Sequence, residues 1–342
     1  VPRELAVVAA LFALNAVAVT ATYWRFPPSE LYHVHDRGAA GGFGRALVFL
    51  NYPTALVGIA LAGLAWPRLR RRLRVLAALA IAMCAVLYWA VDQADLDAKA
   101  LNAVPAIGVL LAAALVVVAC VPPAPAHVHG DRLRIVLAVL LVFFAAPWIA
   151  AVLGFFLDGV PVLGWFFQTG RFAAQPGVSG LVHAVHHGEH HGWDGTQLAL
   201  TALLLSRLPR PRWLDAYLAL MLAYGVGNLV NDEWLEQVVK RGWTRHEVPP
   251  VQTPALNWGW LAVLVGAVVV WRFWFRQPPG DGGQPGWSHT TTGVPSEKGT
   301  VSVGRAPSRS ATRAERVFTG SISEISLGAP NHSRTASAAS VA

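Results

Sequence analysis

Three apolar runs of this chain, residues 5–24, 46–66 and 101–121, contain no Asp, Glu, Lys or Arg. Each is long enough to cross the hydrocarbon core of a bilayer, which takes about 20 apolar residues in a helix. Backbone placed there has no water to bond, so only helices and closed barrels are admissible. A barrel requires alternating strands of about ten residues, and the sequence has none. Five further segments continue the pattern at 75–92, 133–157, 178–207, 213–232 and 255–275. The expected fold class is all-α, a polytopic transmembrane helical bundle of about eight spans. Composition agrees: 13% of residues are charged, against about a quarter in a soluble domain.

The arginines set the expected orientation. Arg68, Arg70, Arg71, Arg72 and Arg74 crowd one connector, and Arg132, Arg134, Arg207, Arg210, Arg212, Arg272 and Arg276 fall in every second connector after it. Basic residues collect on the cytoplasmic side, which predicts a multi-pass protein of the cell membrane with both termini in the cytoplasm. The net charge of +8 follows from this distribution. No aromatic-interleaved basic face accompanies it, so nucleic acid is not an expected partner. Tyr23, Trp24, Tyr88, Trp89, Trp213 and Trp258 stand at span ends, as interfacial belts require, which makes the lipid bilayer the first expected partner. The first run follows Arg3 but has no clear cleavage signal and reads as a retained span. Cys84 and Cys120 build neither a disulfide framework nor a CxxC site. After Arg276 the composition turns to Gly, Pro, Ser and Thr, predicting a membrane domain over 1–276 and a disordered cytoplasmic tail over 277–342.

This topology turns residues 25–45, 158–182 and 232–254 outward, together with most of the histidines. Five of them fall within nine residues: His183, His186, His187, His190 and His191, in LVHAVHHGEHHGWDG. Imidazole is the commonest transition-metal ligand. On a helix, His183, His187, His190 or His191, and Asp194 would share one face, and His186 would pair with His190. Gly188, Gly192 and Gly195 interrupt the run, and the apolar stretch after Asp194 is too short to span alone. The cluster therefore either begins the sixth span or lies on a half-helix re-entering the bundle. His33 and His35, from the segment HVHD, are further candidate ligands. Glu189, Asp194 and Asp232 are the candidate catalytic carboxylates, as general acid/base groups or proton carriers. The expected cofactor is a transition metal ion, iron or zinc ahead of copper.

HAVHH and HGEHH each fit HxxHH and resemble the histidine boxes of membrane fatty-acid desaturases and hydroxylases. The resemblance covers about ten residues. It implies two iron ions that activate dioxygen against an alkyl chain. In this chain the boxes overlap, no HxxxxH box stands upstream, and the expected site faces outward rather than to the cytosol. Three functions follow: a metal-dependent oxidoreductase or hydrolase acting on a lipid-soluble substrate, a metal-ion transporter, and a non-catalytic pH- or metal-sensing scaffold. Transport would require polar relays within the spans.

Overall fold

A computed structural model describes residues 1–92, 94–175, 179–252 and 255–276. The tail expected over 277–342 lies outside the described residues. The chain is mostly helical. In order it forms α1 (Arg3–Arg25), α2 (Gly38–Phe49), α3 (Thr54–Ala65), α4 (Arg71–Ala85), the short α5 (Leu87–Ala90), α6 (Ala103–Val118), α7 (Asp131–Phe144), α8 (Ala146–Leu153) and the single-turn α9 (Leu163–Phe166). An antiparallel hairpin follows, β1 (Phe172–Ala174) with β2 (Leu181–His183), in which Phe172 faces His183. Then come α10 (His191–Leu205), α11 (Arg212–Asp232) and α12 (Trp258–Val270). α11 continues as a π-helix over Glu233–Val239, and α12 over Trp271–Phe275.

Among the described residues, five helices are long and apolar enough to cross a membrane: Arg3–Arg25, Arg71–Ala90, Ala100–Val118, Arg212–Val239 and Trp258–Phe275. Two bent pairs raise the number to seven if each is one span: α2 with α3, bent by 44°, and α7 with α8, bent by 55°. The sixth expected segment, 178–207, is divided over its described residues into the hairpin strand, a non-helical stretch and α10. With 15 residues, α10 is about 22 Å long, against roughly 30 Å for a hydrocarbon core. It is also the most enclosed helix, with 12 of its 15 residues buried. Leu79, Leu110, Val139 and Leu264 on the surrounding helices are exposed, the apolar exterior that a lipid solvent stabilises.

α10 and α11 meet at glycine against glycine. A methyl group on Gly195 would lie 2.4 Å from the Gly225 carbonyl oxygen, and one on Gly225 would lie 2.3 Å from that of Gly195. Neither position has room for a side chain, so the two backbones touch directly. This contact lies one turn inside the end where α10 carries His191 and Asp194 and α11 carries Asp232. Gly225→Val is expected to destabilise the fold by about 1–3 kcal/mol through overpacking, read as a lower melting temperature in detergent. An unchanged melting temperature would show that the crossing is loose.

Candidate functional site

Residues 184–190 are not helical, so the helical face expected for His183, His187 and His190 does not form. The backbone is pinned to neighbouring elements instead. The Val185 N–H donates to the Thr169 carbonyl (3.0 Å) and the Gly188 N–H to that of Ala151 (3.0 Å). Gly188 has φ +106°, and a side chain there would meet the Tyr23 hydroxyl at 2.6 Å; only glycine meets both conditions. The next amide, Glu189 N–H, donates to that hydroxyl at 3.1 Å.

This path splits the five histidines into two groups. His183 and His187 enter an alternating aromatic stack. Ring centroids are 4.3 Å apart for Phe26–His187, 4.2 Å for His187–Phe156, 4.9 Å for Phe156–His183 and 4.3 Å for His183–Phe172. His183 also donates from Nδ1 to the Gly170 carbonyl (2.8 Å). His186, His190 and His191 instead line a polar cavity of about 330 Å³, together with Arg45, Tyr32, Tyr52, Glu189, Asp194, Asp232 and Glu236. All three expected catalytic carboxylates therefore reach one cavity, and each is buried.

Within it, Arg45 Nη2 lies 3.0 Å from Glu189 Oε2. Glu189 and Asp194 are within hydrogen-bonding reach of one another, a contact between carboxyls that needs a shared proton or cation. Asp232 Oδ2 accepts from the Gly192 N–H (2.6 Å), satisfying an otherwise orphaned amide in the first turn of α10. Glu236 Oε2 accepts from Trp148 Nε1 (2.5 Å), while its Oε1 lies 3.4 Å from Lys240 Nζ and 3.7 Å from His190 Nδ1. Lys240 also donates to the Ala184 carbonyl at 2.7 Å, tying the histidine segment to the π-helix. Four buried carboxyls thus stand against two buried cations, Arg45 and Lys240. Buried charge of one sign is costly until it is paired or neutralised.

The histidine hydrogen bonds fix where the lone pairs point. A carbonyl can only accept, so His186 carries its proton on Nδ1, bonded to the His187 carbonyl (3.0 Å), and His190 on Nε2, bonded to that of His186 (2.9 Å). The free lone pairs are then on His186 Nε2 and on His190 Nδ1, the latter facing Glu236. Backbone carbonyls orient metal-binding histidines in this way. The two rings stack at 4.0 Å, and Tyr32 stacks on His186 at 5.2 Å. Burial pushes the His186 imidazole well below its ordinary range and that of His190 down to about 3, so both are neutral bases at pH 7. Two ligand atoms on one tetrahedral ion, each bonded at about 2.1 Å, lie about 3.4 Å apart; His190 Nδ1 and Glu236 Oε1 approach that separation. They supply a pair rather than a full ligand set.

His33 and His35 are not brought into the cavity. The His33 carbonyl accepts from the Leu96 N–H (2.8 Å). His35 Nδ1 lies 3.1 Å from Asp97 Oδ2 and 4.0 Å from Asp95 Oδ1. Among the described residues, His35, Asp95 and Asp97 are the three metal-ligand types whose ligand atoms all fall within 4.8 Å of one another. The group is in exposed connectors, and Lys99 Nζ already neutralises Asp95 at 3.3 Å and Asp92 at 3.0 Å.

Sequence reasoning passed over Arg45, Trp148 and Lys240. One signal was available: Arg45 is a lone charge at the head of a long apolar run, and such a residue marks a buried functional group by default. The π-helical turn that presents Glu236 leaves no comparable trace in the sequence. No family model matches the chain, and no curated protein or solved structure matches it either.

Proposed function

We propose that the chain is a polytopic membrane protein whose buried histidine–carboxylate cavity holds a transition metal ion and acts on a lipid-soluble substrate. One observation carries this reading. The polar cavity shares Tyr52, Val91, His191 and Gln252 with a second cavity of about 270 Å³, which is otherwise apolar and aromatic. Leu56, Leu87, Tyr217, Leu220, Met221, Tyr224 and Trp260 line this second space, and Tyr88 at its edge is exposed. A hydrophobic chain entering past Tyr88 would place its polar end against His191 and Asp194. Iron or zinc suits a set of imidazole nitrogens and carboxylate oxygens, with His190, His191, Asp232 and Glu236 as the residues to hold it. The ion would supply Lewis acidity or an activated oxygen species. The chain's own groups contribute the rest: Arg45 holds Glu189, Glu189 and Asp194 trade a proton, and Trp148 fixes the rotamer of Glu236. In this arrangement the histidine end of α10 is the extracytoplasmic one, with both termini cytoplasmic. The resemblance to desaturase boxes extends no further than shared ligand chemistry.

A second reading, cation translocation, is favoured by one feature of α10. Asp194, Gln197 and Thr201 recur at helical spacing and are fully or almost fully buried. Asp194 Oδ1, both polar atoms of Gln197 and Thr201 Oγ1 have no hydrogen-bond partner among the described residues. A stripe of this kind would conduct ions or protons if hydrated.

Elemental analysis of the purified full-length protein tests the first claim. Iron or zinc at one or two ions per chain is expected, falling to background when His190, His191 and Glu236 are replaced together by Ala, Ala and Gln. A metal-free wild type ends the metal reading. Proteoliposome uptake of the same ion, abolished by Thr201→Val and Gln197→Leu, would move translocation ahead of catalysis.

A further inference from the structure

The opposite end of α10 carries a site of different chemistry. A cavity of about 520 Å³ lies where the first turn of α7, the α10–α11 connector and the end of the α12 π-helix meet. Arg134, Arg207, Arg210, Arg276 and His129 line it, with no carboxylate among the described lining residues. Not all of this charge is free. Arg207 is paired with Glu4 at 3.1 Å and Asp131 at 2.8 Å, Arg210 with Asp215 at 2.6 Å, and Arg134 through Nη1 with Asp131 at 3.5 Å.

Arg134 and Arg276 retain donors. Arg134 is buried, bonds Ser206 Oγ through Nε (3.0 Å) and the His129 carbonyl through Nη1 (2.7 Å), and has no partner at Nη2 among the described residues. Its guanidinium lies 5.0 Å from the Trp274 ring centroid. Arg276 is exposed, and its guanidinium lies over the Trp271 ring at 5.7 Å, with no hydrogen bond from its side chain among the described residues. Trp274 Nε1 is buried and has no hydrogen-bond partner among the described residues.

Trp274 also lines a second space. An apolar groove of about 380 Å³ runs from it between α7, α11 and α12, past Val270, Gly266 and Val263. A cationic cavity continuous with an apolar groove on the outside of a bundle matches an amphiphile with an anionic head. Basic pockets between membrane helices recognise such head groups. We infer that this end of the bundle binds one anionic phospholipid, its phosphate at Arg134 and Arg276 and an acyl chain in the α7–α11–α12 groove. The site is separate from the histidine cavity by the length of α10, about 22 Å, and does not depend on the function proposed for that cavity.

Native mass spectrometry of the full-length protein, offered phosphatidylglycerol or phosphatidylcholine, tests the inference. One phosphatidylglycerol is expected to be retained about ten-fold over phosphatidylcholine. Arg276→Gln should reduce that retention about five-fold, the effect of one basic residue near an anionic surface. Gly266→Trp, which fills the groove, should reduce it as well, whereas Arg72→Gln in the first turn of α4 should not. Equal retention of the two lipids by wild type overturns the inference whatever the variants do. So does undiminished phosphatidylglycerol binding in both Arg276→Gln and Gly266→Trp. Stabilisation by inorganic phosphate without retention of phosphatidylglycerol identifies a free-anion site and likewise overturns the lipid assignment.

Discussion

Arg45→Met is expected to destabilise the folded protein by about 3–5 kcal/mol, the cost of stranding one member of a buried ion pair. The pair is Arg45 Nη2 with Glu189 Oε2 at 3.0 Å, on side chains 10% and 1% exposed. The guanidinium also lies 5.4 Å from the Tyr23 ring centroid, so its removal strips a second contact. Its loss leaves Glu189 beside Asp194 with no cation on that side of the cavity. Adding Glu189→Gln should recover most of the lost stability, because a neutral amide does not require the guanidinium. Denaturation midpoints in detergent for the two single variants and the double variant give the coupling. Additive losses would mean that the two side chains do not share one environment.

The second large effect separates the histidines. Replacing His183 and His187 together with Phe preserves the stack built with Phe26, Phe156 and Phe172, and bound metal is expected to stay at the wild-type level. His190→Ala removes the lone pair that faces Glu236 and the bond to the His186 carbonyl, and metal is expected to fall at least ten-fold. Metal content by elemental analysis reads both variants directly. Loss of metal in the Phe pair with retention in His190→Ala would reverse the assignment and put the ion in the aromatic stack.

Much of the helical bundle was legible in the sequence because an apolar run has few alternatives. Seven of the expected segments coincide with long helices or bent helix pairs. The segment 178–207 was harder, since its histidines fit a helical spacing that the chain does not use. What breaks that helix is Gly188, whose positive φ and contact with Tyr23 depend on a residue 165 positions earlier in the chain. No local pattern announces such a contact. The carboxylates were easier to find than the ligand geometry: Glu189, Asp194 and Asp232 are rare charges within or beside apolar segments, and burial alone singles them out. His33 and His35 show the opposite case, where residue type suggested a ligand but the connector folds outward onto Asp95 and Asp97. Glu236 joins the cavity only because α11 widens into a π-helix, a turn often found at functional sites.

The glycine contact between α10 and α11 also limits how the cavity can move. With Gly195 and Gly225 in backbone contact, these two helices cannot rock apart near the site without opening a void, so they form a fixed post. If the cavity takes a guest, widening falls to the lighter walls: the α2–α3 bend that carries Tyr52, and Leu87, Tyr88, Val91 and Leu96. Restraining that wall would slow exchange without touching the histidines, and loosening the post would cost the fold before it opened a door.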